Sequence, residues 1–91
     1  MNPEPSVSDR GAVIQELRRL LVRDYGAQPG LLADAPLVST GLVDSAGVAD
    51  LIDWLETRYG VRIEDDEVTF ENFETLEALA LLVERSRRAA G

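Results

Sequence analysis

Few of the ninety-one side chains could take part in covalent chemistry. The chain has no cysteine and no histidine. That removes the thiol nucleophile, the thiolate metal site, the usual general base and the usual zinc ligand. A Ser-His-Asp triad cannot be assembled from these residues alone. Val43-Asp44-Ser45-Ala46-Gly47 also lacks the first glycine of a nucleophile elbow. Ser45 is nevertheless in a telling position. Asp44 stands where a helix N-cap belongs, with a carboxylate that can accept from first-turn N–H groups. Ser45 is then the first helical residue, at the positive end of the helix dipole. A hydroxyl at a helix tip after a loop is open to an outside enzyme, and an anion attached there would meet unpaired N–H groups. The chemistry expected is modification by another protein, not self-activated catalysis.

The remaining acids give no catalytic or metal pattern. Glu64-Asp65-Asp66-Glu67 lacks the alternating ligands and the glycine of an EF-hand, so no selective metal site is expected. Paired-carboxylate catalysis needs a concave site with shifted pKa values, which nothing in the sequence marks.

The elements that must position Ser45 are helices. Val48, Leu51, Ile52, Leu55 and Tyr59 recur at the spacing of one buried helical face. They predict a helix from about Ser45 to Arg58, ended by Gly60. Measured from Val48, Ser45 falls ~60° and Trp54 ~120° from the apolar centre. Upstream, Met1 to Val7 reads as a flexible tail, within an expected tail of 1–8 ahead of a domain over 9–91. Ser8 is the candidate cap of a first helix with the stripe Val13, Ile14, Leu17, Leu20 and Leu21, ending near Tyr25 and Gly26. Gln28 to Val43 is a long connection, and Leu31, Leu32, Leu37, Leu42 and Val43 are expected to pin it over the helices. A short third helix is expected near Asp66 to Phe70, with Val68, Phe70 and Phe73 pointing inward. Thr75 can cap a last helix whose stripe is Leu76, Leu79, Ala80 and Val83, widened by Leu81 and Leu82, one of which is left toward solvent. The fold class is all-α: a small four-helix bundle of three long helices and one short one, with a long first loop.

Composition narrows the function classes. The length fits one domain with a thin core. A net charge of −8 argues against nucleic acid as a partner. Eleven carboxylates and two arginines between Asp44 and Glu77 give that segment −9. This is either a solvated face or a docking surface for basic partners. No apolar run approaches the ~18 residues of a membrane span, and the start of the sequence lacks signal-peptide regions, so a cytoplasmic location and no membrane insertion are expected.

Gly41, Asp44 and Ser45, the ladder Val48, Leu51, Ile52, Leu55, and the exit Tyr59-Gly60-Val61-Arg62-Ile63 resemble the attachment region of acyl and peptidyl carrier proteins. The resemblance runs from about Val13 to Val83. It implies that a phosphopantetheinyl transferase joins 4′-phosphopantetheine from coenzyme A to the Ser45 hydroxyl, with Mg²⁺. It implies that Asp44 serves both as helix cap and in transferase recognition. The arm ends in a thiol that carries cargo as a thioester, which accords with a chain that has no cysteine. The implied partners are that transferase, an adenylating enzyme or acyltransferase that loads the cargo, and a downstream synthase. The carrier is expected to be a non-catalytic monomer.

Gly41-Leu42-Val43-Asp44-Ser45 and Glu71-Asn72-Phe73 are similar to free-standing carriers of amino acids, such as the D-alanyl carrier group. Fatty-acid and polyketide carriers usually have Leu or Ile after the serine, and the D-alanyl group often Met; here the residue is Ala46. The expected role is a carrier of an aminoacyl or specialised acyl unit in polyketide or nonribosomal peptide biosynthesis. The alternative is an acidic helical adaptor with an unmodified Ser45. Ala46, Asp50, Asp53, Trp54 and Thr57, on the face opposite the ladder, form the expected partner surface.

Overall fold

A computed structural model describes residues 5–90 of the chain, with side chains over 10–89. Four helices follow in order: α1 (Pro5–Tyr25), α2 (Ser45–Tyr59), α3 (Phe70–Phe73) and α4 (Leu76–Ala90), with one 3₁₀ turn at Asp65–Glu67 before α3. Three are long and one is a single turn, and no strand occurs among the described residues. The architecture is the all-helical bundle that the apolar spacing predicts.

The first helix starts earlier than expected. Pro5 is its first residue, a position where the missing N–H costs nothing and the fixed φ suits a helix. The backbone therefore runs helically through Ser8, which is not its cap. Of the expected 1–8 tail, residues 1–4 lie outside the described residues.

The core is one cluster. Leu17 and Leu21 of α1, Leu51 and Leu55 of α2, Phe73 of α3, and Leu76, Leu79, Leu82 and Val83 of α4 are all sealed from solvent. On α4 it is Leu81, not Leu82, that faces out. Thr75 caps this helix, its hydroxyl accepting from the Ala78 N–H at 3.0 Å.

Two expectations about apolar side chains fail. Phe73 is buried, but Phe70 and Val68 are exposed. The expected short helix breaks in two, since Val68 and Thr69 are non-helical and α3 begins only at Phe70. Asn72 then turns inward in their place, its side-chain amide donating to the Glu67 carbonyl at 2.8 Å. In the long connection, Leu37 and Val43 are buried and Leu31 and Leu42 half-buried, but Leu32 is 67% exposed.

The connection is held by hydrogen bonds as much as by packing. The Leu37 N–H donates to the Glu74 carbonyl at 2.8 Å, and the Val43 N–H donates back to Leu37 at 3.0 Å. The Glu74 carboxylate accepts from the Val38 and Ser39 N–H groups at 2.8 and 3.1 Å and from the Ser39 hydroxyl. Glu77 donates its N–H to the Ala33 carbonyl at 3.1 Å, and Arg18 reaches the Leu31 carbonyl at 2.7 Å. These bonds fix the path by which the chain arrives at Asp44.

Candidate functional site

The approach to Ser45 begins at Gly41, whose φ of +82° lies in the left-handed region that only glycine adopts freely. Val43 then anchors in the core and delivers Asp44 to the end of α2. Asp44 is extended, and its Oδ1 accepts from the Gly47 N–H at 2.9 Å. The Asp44 carbonyl accepts from the Val48 N–H at 2.8 Å, the first bond of the helix. The cap expected from the sequence is thus present, and α2 ends with the Gly60 N–H on the Glu56 carbonyl at 2.9 Å.

Ser45 occupies the first position of α2 and is exposed. The buried line of α2 runs through Gly47, Leu51 and Leu55, while Val48, Ile52 and Tyr59 are only half-buried. Recentred on Leu51, Ser45 lies ~120° from the apolar centre rather than ~60°. It faces solvent outright, not the rim. The same shift brings Trp54 to ~60° and explains its partial burial.

Gly47 shows why the apolar line moves. A Cβ placed there would lie 3.0 Å from Tyr25 Cε2 and 3.1 Å from Val43 Cγ1. The last residue of α1 therefore packs directly on the first turn of α2, and the Tyr25 hydroxyl donates to the Gly47 carbonyl at 3.3 Å. Tyr25 holds its proton more firmly than a free phenol, first because of burial and then because of Asp50, Asp24 and Asp44.

Four of the five expected partner residues come together. Asp50, Asp53, Trp54 and Thr57 line one cleft with Leu20, Asp24 and Tyr25 of α1. Ala46 is exposed one turn nearer the serine and does not line it. Trp54 is half-buried, and its ring meets Tyr59 edge-on at 5.8 Å and 82°. Leu20, Asp24 and Tyr25 were not legible as site residues, because no spacing within one helix relates them to α2. A glycine in the first turn of an amphipathic helix was the available hint of a close approach.

At the far end of α2, Arg58 and Tyr59 both bond the Glu16 carboxylate of α1. Arg58 first and Tyr59 second hold Glu16 below the usual carboxylate range. Burial, then the bond to Glu16, push Tyr59 far above the usual phenol. This network clamps the two helices antiparallel, so Tyr25 and Glu16 mark opposite ends of one seam.

No group of three or more metal-ligating side chains assembles among the described residues. No described helix is long and apolar enough to cross a membrane. What the site presents is a solvent-facing hydroxyl on a capped helix tip, with no hydrogen-bond partner for it among the described residues.

Comparison with known proteins agrees with that geometry. The sequence family described as phosphopantetheine attachment site matches residues 15–83. The chain is 37% identical over 60 residues to a probable acyl carrier protein, PigG, of Serratia sp. (strain ATCC 39006), covering 66% of this chain and 69% of that protein. A capped serine at the tip of α2, in a helical bundle matched over most of its length, makes this chain a member of the phosphopantetheine-binding carrier protein family, with 4′-phosphopantetheine as its prosthetic group.

Proposed function

We propose that Ser45 is the attachment residue and that the chain carries an aminoacyl or specialised acyl unit in a polyketide or nonribosomal peptide type of pathway. The observation that carries this reading is the exposed Ser45 hydroxyl at the first position of α2, behind the Asp44 cap. The Ser45 oxygen would form the phosphodiester by displacing adenosine 3′,5′-bisphosphate from the pyrophosphate of coenzyme A. The transferase supplies the base that takes its proton, since the chain contains no histidine. The Ser45 and Ala46 N–H groups precede the first turn's carbonyl acceptors and lie beside the substituted oxygen, where they favour an anion. Asp44 keeps that turn in place. When bound, the group supplies a terminal thiol on which cargo travels as a thioester. The chain itself acts as a non-catalytic platform.

Ala46 favours specialised cargo. It is exposed and offers no bulky side chain beside the serine for a fatty-acid synthase to grip. Asp50, Asp53, Trp54 and Thr57 form the surface on which partner enzymes dock.

The test is intact mass after incubation with coenzyme A, Mg²⁺ and a broad-specificity phosphopantetheinyl transferase. The wild-type chain is expected to gain one phosphopantetheinyl group, and Ser45→Ala to gain none while keeping its fold. No gain by the folded wild type overturns the assignment and favours an unmodified adaptor. The loaded form is then offered to adenylating enzymes and acyltransferases. Loading by malonyl transfer alone would count against the aminoacyl reading.

A further inference from the structure

We infer that Glu74 is a positioning residue for the modification of Ser45: its carboxylate holds the exposed turn 38–41 in the arrangement against which a transferase seats when it reaches the serine. The inference rests on Ser45 as the attachment residue and adds a residue that acts on it from the joint of α3 and α4.

Burial fixes the two ends of this turn but not its middle. Leu37 and Val43 are sealed in the core, and the Val43 N–H donates to the Leu37 carbonyl at 3.0 Å. The segment between them therefore closes into a loop just before the Asp44 cap. Ser39, Thr40 and Gly41 are exposed, so no buried apolar surface holds them down. Their conformation has to come from hydrogen bonds. Some stay within the connection: the Gly41 N–H donates to the Val38 carbonyl at 3.0 Å, and the Thr40 hydroxyl to the Pro36 and Leu37 carbonyls at 3.1 and 3.2 Å. Every hydrogen bond that residues 38–41 make to a more distant part of the chain, among the described residues, ends on the Glu74 carboxylate.

The form of that contact selects one arrangement. One carboxylate oxygen takes the adjacent Val38 and Ser39 N–H groups, and the other takes the Ser39 hydroxyl. Charge-assisted bonds to both backbone and side chain of neighbouring residues leave the turn a single register. Glu74 itself is held in place, flanked by the buried Phe73 and Leu76 and with its carbonyl on the Leu37 N–H. The consequence for Ser45 is one of population. Without the carboxylate the sealed ends and the Asp44 cap persist, while the middle of the turn samples several arrangements. Apparent affinity for a transferase then falls with the fraction of the competent one. Glu74 makes no hydrogen bond to Ser45, so the bond exchange at the serine oxygen is untouched. The effect belongs in KM and not in kcat.

Initial rates of phosphopantetheinyl transfer are measured on the full chain with saturating coenzyme A and Mg²⁺, alongside amide hydrogen exchange. Glu74→Ala is expected to raise KM for the carrier about five- to tenfold while kcat stays within about twofold. Exchange should quicken at Val38 and Ser39, and the Gly47 amide on the Asp44 cap should keep its protection. Glu74→Gln retains an oxygen for both N–H groups and should stay within about twofold of wild type in KM. Val83→Ala, which hollows the core beside Arg10 and Val13 toward the other end of α1, should lower stability and leave KM alone. Unchanged KM in Glu74→Ala, a loss confined to kcat, or an equal rise in Val83→Ala overturns the inference. If Glu74→Ala does not fold, Ser39→Ala decides: losing the hydroxyl bond should raise KM about twofold, and no rise overturns the inference. No transfer to the folded wild type discards the attachment reading and this inference with it. Transfer with unchanged KM in Glu74→Ala discards this inference alone.

Discussion

Two helical glycines with opposite surroundings test the packing that sets Ser45 in place. Gly11 lies in α1 with nothing within 4 Å of a would-be Cβ. Gly47 lies in the first turn of α2, where the same atom would come within 3.0 Å of the Tyr25 ring and 3.1 Å of Val43. Gly→Ala in a helix gains about 1 kcal/mol from reduced backbone freedom in the unfolded chain. Gly11→Ala should therefore stabilise the protein by about that amount. At Gly47 the gain is opposed by an overpacking cost of about 1–3 kcal/mol, because Val43 is sealed in the core and cannot withdraw. The net expectation for Gly47→Ala is a loss of ~0–2 kcal/mol, read by urea denaturation of both variants at neutral pH. The clash also has to push the first turn of α2 outward, so amide shifts of Asp44, Ser45 and Ala46 should move. Shortening the ring with Tyr25→Leu should recover part of the loss. Equal stabilisation by the two alanines would refute the close approach of α1 to α2.

Asp44→Ala removes the N-cap and should cost about 1 kcal/mol by denaturation, whereas Asp44→Asn keeps an acceptor and should cost only a few tenths. Ser86 is buried on α4 with no hydrogen-bond partner for its hydroxyl among the described residues. Ser86→Ala should accordingly stabilise by about 1 kcal/mol, and a drop in melting temperature would reveal a partner. Acid should weaken the fold through three glutamates. Glu16 is lowered below the ordinary 4.5 chiefly by its bond from Arg58, Glu74 by the Ser39 hydroxyl and Glu84 by Arg10. A carboxyl depressed on folding stabilises fully above its unfolded value and loses that contribution as pH falls through its folded one. Melting temperature should thus hold from neutrality to about pH 5 and fall below about 4.5, with a shallower fall in Glu74→Gln.

What could be read from the sequence divides along a physical line. The cap at Asp44, the stop at Gly60, the cap at Thr75 and the stripe of α4 depend on residues within a turn or two of each other, and the structure has them all. Errors arose where a distant element decides the outcome. The apolar centre of α2 is set by Tyr25 packing on Gly47, which no periodicity within α2 reveals. Phe70 and Val68 look like core residues by composition, yet a break in the backbone before Phe70 turns them outward. Leu32 likewise has the right hydrophobicity yet is exposed, while Leu37 and Val43 of the same connection are buried. Trp54 moves from the outer face toward the rim of the apolar line, where it shares a cleft with Leu20, Asp24 and Tyr25 of α1.

One residue at the joint between α3 and α4 has an outsized reach. Through its carbonyl and its carboxylate Glu74 grips Leu37, Val38 and Ser39 in the middle of the long connection. The segment that leads to the serine is thereby latched to the smallest helix in the fold. Loss of that single turn would also slacken the strap running to Asp44, so a change at one end of the bundle is felt at the tip of α2.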